Sequence, residues 1–183
     1  ITQRKAEQTR LDMLKAAIDL APDSFYLIDP EKLEYVEVNR AAGSLYGLTR
    51  EQVLDMGMTG LLKWLGSFNE GMTPERLRES YAELIANHPQ AQTQERTQRT
   101  PDGRRVHTET VRQAVQVDGR WLVVNVTRDI TERKAAQARM ERFAAIVSLS
   151  ADAVFVVQRD GMRIVDVNDA ACRMYGYTRE QLT

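Results

Sequence analysis

Apolar positions along the chain fall into blocks with different periods. Leu11, Leu14, Ile18 and Ala21 recur at spacings of three and four, which predicts a helix over residues 1–21 with a narrow apolar stripe. Pro22-Asp23 ends it. Residues 24–29 and 33–38 are rich in aromatic and β-branched side chains and predict two short strands joined by Pro30-Glu31-Lys32. Asn39 stands where a helix N-cap belongs, because its side chain can accept from free backbone N–H groups. A short helix over 40–47 then closes at Gly47. Thr49, with Gln52 three places on, predicts a capping box for another helix. Capping alone explains these Asn, Gly and Thr residues, so their role reads as structural. Residues 56–72 are Gly- and Met-rich, carry Leu61, Leu62, Trp64, Leu65 and Phe68, and predict a short helix and a loop. Thr73-Pro74 opens a firmer helix through Asn87, stopped by His88-Pro89. Strands over 92–99, 106–117 and 120–127 follow, divided by the turn signals Pro101-Asp102-Gly103 and Asp118-Gly119. The order β-β-α-α-α-β-β-β is an α+β layout with an antiparallel sheet.

The pattern then starts again. Sliding the chain by 129 positions lays residues 1–54 on residues 130–183 without a gap, and more than a third of the pairs are identical. Val38-Asn39-Arg40-Ala41-Ala42 falls on Val167-Asn168-Asp169-Ala170-Ala171. Tyr46-Gly47-Leu48-Thr49-Arg50-Glu51-Gln52 falls on Tyr175-Gly176-Tyr177-Thr178-Arg179-Glu180-Gln181. A unit this long is a domain rather than a solenoid repeat. The expected division is a helix over 1–21, a full domain over 22–130, a linking helix over 131–150 and the start of a second domain over 151–183. Two strands and a short helix bury little core, so residues 151–183 are expected to be disordered, fragile or docked on a second chain. Met140, Phe143 and Val147 keep the helical stripe in the second copy. The stripe suits a two-helix coiled coil and, equally, a helix packed on its own domain.

A two-residue turn at Asp118-Gly119 fixes the register of its hairpin. Val117 then faces Arg120, Gln116 faces Trp121, Ala114 faces Val123, Arg112 faces Asn125 and Thr110 faces Thr127. Val111, Val115, Val117, Leu122, Val124 and Val126 share one face; the other is mixed and rich in hydroxyls. Periodicity alone puts the valine face on the core. Helices covering the mixed face would turn the valines outward instead, and the pattern does not choose.

Composition narrows the chemistry. Among 183 residues, 25 Lys and Arg stand against 26 Asp and Glu, giving a net charge of −1 and no general pull on nucleic acid or anionic lipid. No apolar run approaches the ~20 residues that span a bilayer, and no membrane contact is expected. Cys172 is the only cysteine, so an intrachain disulfide and a thiolate zinc cage are excluded. One free thiol fits a reducing, cytoplasmic setting. The chain opens on Ile rather than Met and is expected to be a piece of a longer protein. Two histidines and one late cysteine support no Ser-His-Asp or Cys-His arrangement, and phosphate-loop and paired-His metal motifs are missing. The segment reads as non-catalytic, with no metal site.

The motifs starting at Val38 and Tyr46, Asp102-Gly103 before a strand, and Arg128-Asp129-Ile130-Thr131-Glu132-Arg133-Lys134 together resemble the PAS domain family, once in full and once as an opening portion. The resemblance implies a PAS-like five-stranded antiparallel sheet with short helices over its concave face, flanked by amphipathic signalling helices. It implies a sensory or regulatory module of a bacterial signalling protein. Such a module binds a small ligand or a partner and relays its state to an output domain such as a histidine kinase or diguanylate cyclase. It also implies a homodimer through the flanking helices and outer sheet face. The alternative is a ligand-free structural dimerisation module. Asp129 and Glu132, three apart, can form a capping box, so Asp129, Thr131 and Glu132 are the expected relay.

The resemblance further turns the valine face outward and aims Gln94, Arg96 and Gln98 inward. A buried arginine needs an anion, which a small polar or anionic ligand near Arg96, Thr108, Thr110 and Asn125 would supply. The alternative is a solvated edge strand with a minimal pocket. Tyr46 and Trp64 are candidate pocket walls. The cofactor is left unknown. Haem is disfavoured because residues 74–87 hold no His and His88 comes after them. A flavin photosensor is disfavoured because residues 60–66 hold no Cys.

Overall fold

Turn chemistry and alternation together build the main sheet. The computed structural model describes residues 2–66 and 71–183; Phe68 lies outside them. The chain divides into two units, residues 1–131 and 132–183. In the first, helix α1 (Thr2–Leu20) is followed by strands β1 (Ser24–Asp29) and β2 (Glu34–Val38). Helices α2 (Arg40–Ser44), α3 (Arg50–Trp64) and α4 (Pro74–Ala86) come next, then β3 (Gln92–Arg99), β4 (Arg105–Val117) and β5 (Arg120–Asp129). The five strands form one sheet in the order β2-β1-β5-β4-β3, and each adjacent pair is antiparallel.

The β4–β5 register is the one that the Asp118-Gly119 turn dictates. Both turn residues have positive φ, and Val117 pairs with Arg120, Ala114 with Val123 and Arg112 with Asn125. Ala114, Val123, Val106 and Thr108 are buried beneath the helices. The valine face points away from the core, with Val117 48% and Val111 40% exposed. Apolar alternation alone would have reversed this, and the helices α2–α4 decide it. Ile28, Val38, Val53, Leu84 and Tyr81 pack between them and the inner face.

Local departures from the predicted elements have physical causes. Leu33 is not a strand residue. It sits at φ 58, donates to Asp29 O at 2.9 Å and buries its side chain, closing the turn before β2 starts at Glu34. Helix α2 ends at Ser44 because the next bonds tighten: Tyr46 N donates to Gly43 O and Gly47 N to Ser44 O. The capping box of α3 is complete, with Gln52 N on Thr49 Oγ1 and Thr49 N on Gln52 Oε1. Gly57, at φ 65 and ψ 178, kinks α3 midway.

Asp29 anchors the β1–β2 turn. Its Oδ1 accepts from Glu31 N and Lys32 N, both at 3.1 Å, and its Oδ2 accepts from Arg120 at 2.9 Å. Burial alone would raise its pKa, but the two backbone N–H groups and Arg120 outweigh it and hold the carboxyl below its ordinary value. A lowered folded pKa gives stability that is present above the unfolded value of about 4 and lost as pH falls through the folded one. Asp29→Asn is therefore expected to lower Tm at neutral pH, and the gap to the parent should close between about pH 5 and pH 2. Scanning calorimetry across that range checks it; a gap independent of pH would rule out the carboxylate's role.

The second unit holds most of helix α5 (Thr131–Leu149), then β6 (Phe155–Gln158) and β7 (Arg163–Val167) as an antiparallel pair, α6 (Asp169–Tyr175) and α7 (Arg179–Leu182). Two strands and two short helices thus form within residues 155–182. The small core reaches Val167, Asn168, Ala170 and Ala171, while Met174 and Tyr175 are exposed. The first-copy counterparts, Leu45 and Tyr46, are buried.

Candidate functional site

The mixed face of the sheet becomes the wall of a cavity because α3 and α4 span it at a distance. The cavity has a volume of about 110 Å³. Strand β3 contributes Gln94, Arg96 and Gln98, β4 contributes Thr108, Thr110 and Arg112, and β5 contributes Asn125 and Thr127. Leu61, Leu62, Leu65 and Met58 from α3, Leu77 and Tyr81 from α4, and Tyr46 after α2 close the other side. One half is therefore apolar and the other polar. Among the described residues, Asp and Glu are missing from the lining. An outer recess of about 330 Å³ shares Leu77, Arg96, Gln98 and Arg112 with it.

Hydrogen bonds hold much of this wall in place. Tyr46 Oη donates to Gln98 Oε1 at 2.9 Å, Tyr81 Oη reaches Met58 Sδ at 3.4 Å, and the Thr110 and Thr127 hydroxyls meet at 3.0 Å. With its amide oxygen turned to the guanidinium, Gln94 accepts from Arg96 Nη2 at 3.0 Å. Arg112 donates from Nη1 to Ser80 Oγ at 3.1 Å and from Nη2 to Gln92 Oε1 at 2.9 Å. Its Nε, and the Oδ1 of Asn125, are buried without a hydrogen-bond partner. Among the described residues, ion pairs fall on other arginines, Arg50, Arg120, Arg128 and Arg179.

Burial pushes the Tyr35, Tyr46 and Tyr81 hydroxyls above their ordinary pKa, so all three remain neutral donors at physiological pH. Burial draws Arg112 down and the Arg96 guanidinium adds to that, while Tyr81 and Glu83 oppose it. Two cations share a half-dry wall, an arrangement that an anion between them would relieve.

Five of the six residues singled out for a pocket, Tyr46, Arg96, Thr108, Thr110 and Asn125, line this one cavity. Trp64 does not: it packs half-buried against the core cluster, while Leu61 and Leu62 of the same helix, and Leu65 at its end, line the cavity. Sequence reasoning passes over Arg112, although the hairpin register places it opposite Asn125 on the mixed face. Tyr81 is hidden in an ordinary helical stripe. Among the described residues, groups of three His, Cys, Asp or Glu able to hold a metal are absent.

The end of β5 is bonded to its neighbour. Asp129 Oδ1 accepts from Thr131 N at 2.8 Å, Thr131 Oγ1 accepts from His107 N at 2.9 Å, and Ile130 N donates to His107 O at 2.8 Å. Helix α5 starts at Thr131, so its first residue is tied to β4 one position before Thr108 of the cavity wall. Glu132, the third residue expected in the relay, opens the second unit.

A PAS domain model matches residues 22–132, and another PAS domain model matches residues 141–183. The crystal structure of the PAS domain of an HTR-like protein from Haloarcula marismortui is similar with a TM-score of 0.56 and 17% identity, over 70% of this chain and 98% of that one. The structure of an RNA-binding Light-Oxygen-Voltage receptor is similar with a TM-score of 0.53 and 21% identity, over 73% of this chain and 37% of that one. Likeness at these identities speaks for the fold alone. A comparison with curated proteins finds no match. Among the described residues, no helix is long and apolar enough to cross a membrane. The sheet order, the tied β5–α5 junction and a family model spanning more than half of the residues agree: the chain belongs to the PAS domain family.

Proposed function

We propose that this chain is a sensory module that holds a small anion in the cavity of its first unit. Occupancy would pass along β4 and β5 into α5, and so to an output domain such as a histidine kinase or diguanylate cyclase. One observation carries this reading. Arg96 and Arg112 share a cavity whose described lining holds no Asp or Glu, and Arg112 Nε is buried without a hydrogen-bond partner. Geometry supports the relay: the strand bearing Thr108, Thr110 and Arg112 also donates His107 N to the first residue of α5.

Thermal-shift titration of the 183-residue chain with sulfate, phosphate and short carboxylates tests the ligand. A rise in Tm that grows with the logarithm of anion concentration above Kd is expected, equivalent to about 2.7 kcal/mol at a hundred times Kd. Arg96→Gln and Arg112→Gln should each weaken binding at least ten-fold, since a charge-assisted bond is lost. A Tm indifferent to every anion would defeat the proposal.

A ligand-free dimerisation module is the second reading. The exposed valines of β4 and β5, together with Leu11 and Leu14 on α1, favour it. Concentration-dependent dimerisation in sedimentation, unaltered by any of these anions, would support it instead.

A further inference from the structure

We infer that the cavity selects a short 2-hydroxycarboxylate, a chain of about three or four carbons with a hydroxyl beside its carboxylate. This rests on the reading of the first unit as an anion sensor and sharpens it. Arg112 and Asn125 are direct cross-strand partners in the middle of the sheet, with both side chains on the cavity face. Such partners carry their Cβ atoms about 5 Å apart. Arg112 is fixed by Ser80 and Gln92 through its two terminal nitrogens, and Nε is its one nitrogen without a hydrogen-bond partner. Asn125 Oδ1 beside it is an uncommitted acceptor. The two orphans want opposite things and do not satisfy each other.

A plain carboxylate answers Arg112 Nε but sets a second oxygen against Asn125 Oδ1, acceptor against acceptor. A hydroxyl on the neighbouring carbon reverses that contact by donating to Oδ1 while the carboxylate keeps the arginine. An amino group would offer a donor too, but as a cation beside two guanidiniums in a cavity whose described lining holds no Asp or Glu. Inorganic phosphate carries donor and acceptors, yet it has no carbon to set against Leu61, Leu62 and Met58. The volume of about 110 Å³ matches roughly four water molecules at about 30 Å³ each, room for a three- or four-carbon acid.

The test is calorimetric titration of the 183-residue chain with matched pairs: lactate against propionate, and 2-hydroxybutyrate against butyrate, with phosphate as a further probe. Each hydroxy acid is expected to bind about ten-fold tighter than its deoxy partner, because only it leaves no buried acceptor unpaired. Asn125→Leu should erase that preference while retaining the carboxylate. The comparison on the parent chain decides the matter even if this variant folds poorly. Equal affinity within each pair overturns the hydroxyl inference and leaves the anion reading intact. Phosphate binding without either acid overturns the carboxylate class alone. Failure of every anion removes the sensor reading, and this inference with it.

Discussion

Gly43→Ala is expected to destabilise the first unit by about 3 kcal/mol, a fall in Tm of roughly 10 °C. A Cβ at this position would lie 2.5 Å from Leu48 O, 2.8 Å from Thr49 C and 2.9 Å from Thr49 O. All three are backbone atoms, so no flexible side chain can yield. The crowding comes from how α2 closes. Leu48 N donates to Gly43 O at 2.9 Å, folding the chain back over Gly43 before the Thr49 capping box starts α3. A displaced Thr49 would weaken that cap and move Val53, which is fully buried. The second copy supplies the control. At the matching position it carries Cys172, and there α6 runs to Tyr175 and ends with Gly176 N on Cys172 O at 2.9 Å, Gly176 being left-handed. Cys172→Ala should cost less than about 1 kcal/mol. Thermal unfolding of both variants, with hydrogen exchange to separate the units, measures the contrast. Equal loss from the two substitutions would mean that the close approach at Gly43 is not what limits the first unit.

That contrast also shows where sequence reading succeeds and stops. Asp118-Gly119 can adopt few conformations, so the register of β4 on β5 can be written down residue by residue, and the inner face follows from it. Asn39, Thr49 and Gln52 are local signals, and their caps form as local signals predict. What stays out of reach depends on contacts far apart in the chain. The direction of the valine face is decided by helices earlier in the chain, opposite to what apolar alternation implies. The end of α2 is set by Leu48 folding back onto Gly43, and the path of α3 by positive φ at Gly57, which a Gly-rich stretch announces without locating. Arg96 is legible as an inward charge on a polar strand, whereas the missing partner of Arg112 Nε exists only once Ser80, Gln92 and Tyr81 are in position. Asn39 reads in sequence as a cap and no more, and that understates it.

Asn39→Ala should unfasten α1 and cost about 3 kcal/mol or more, because one side chain makes four hydrogen bonds while only 1% exposed. Its Oδ1 accepts from Phe25 N at 2.9 Å and Ala42 N at 3.1 Å; its Nδ2 donates to Ile18 O at 2.9 Å and Asp23 O at 3.0 Å. Strand β1, helix α2 and the C-terminal end of α1 therefore meet on a single amide. Asn168 repeats the arrangement in the second unit, accepting from Val154 N at 2.9 Å and Ala171 N at 3.0 Å and donating to Val147 O at 2.9 Å and Asp152 O at 3.0 Å. Val147 belongs to the last turn of α5, so the helix that starts on the His107–Thr131 bond ends on the Asn168 amide. On the proposed relay, a helix bonded at both ends would carry a displacement that one released at its far end would not. Asn168→Ala is thus expected to leave anion affinity in the first unit unchanged while abolishing any ligand-induced change in hydrogen exchange in β6 and α6. Asn168→Asp keeps the two acceptor bonds but loses both donors to the carbonyls, so it should uncouple α5 while the α6 cap survives. Exchange measured with and without a saturating anion on the parent and both variants distinguishes these outcomes. A ligand response that reaches β6 undiminished in Asn168→Ala would show that the amide is a cap alone and that α5 does not transmit through it.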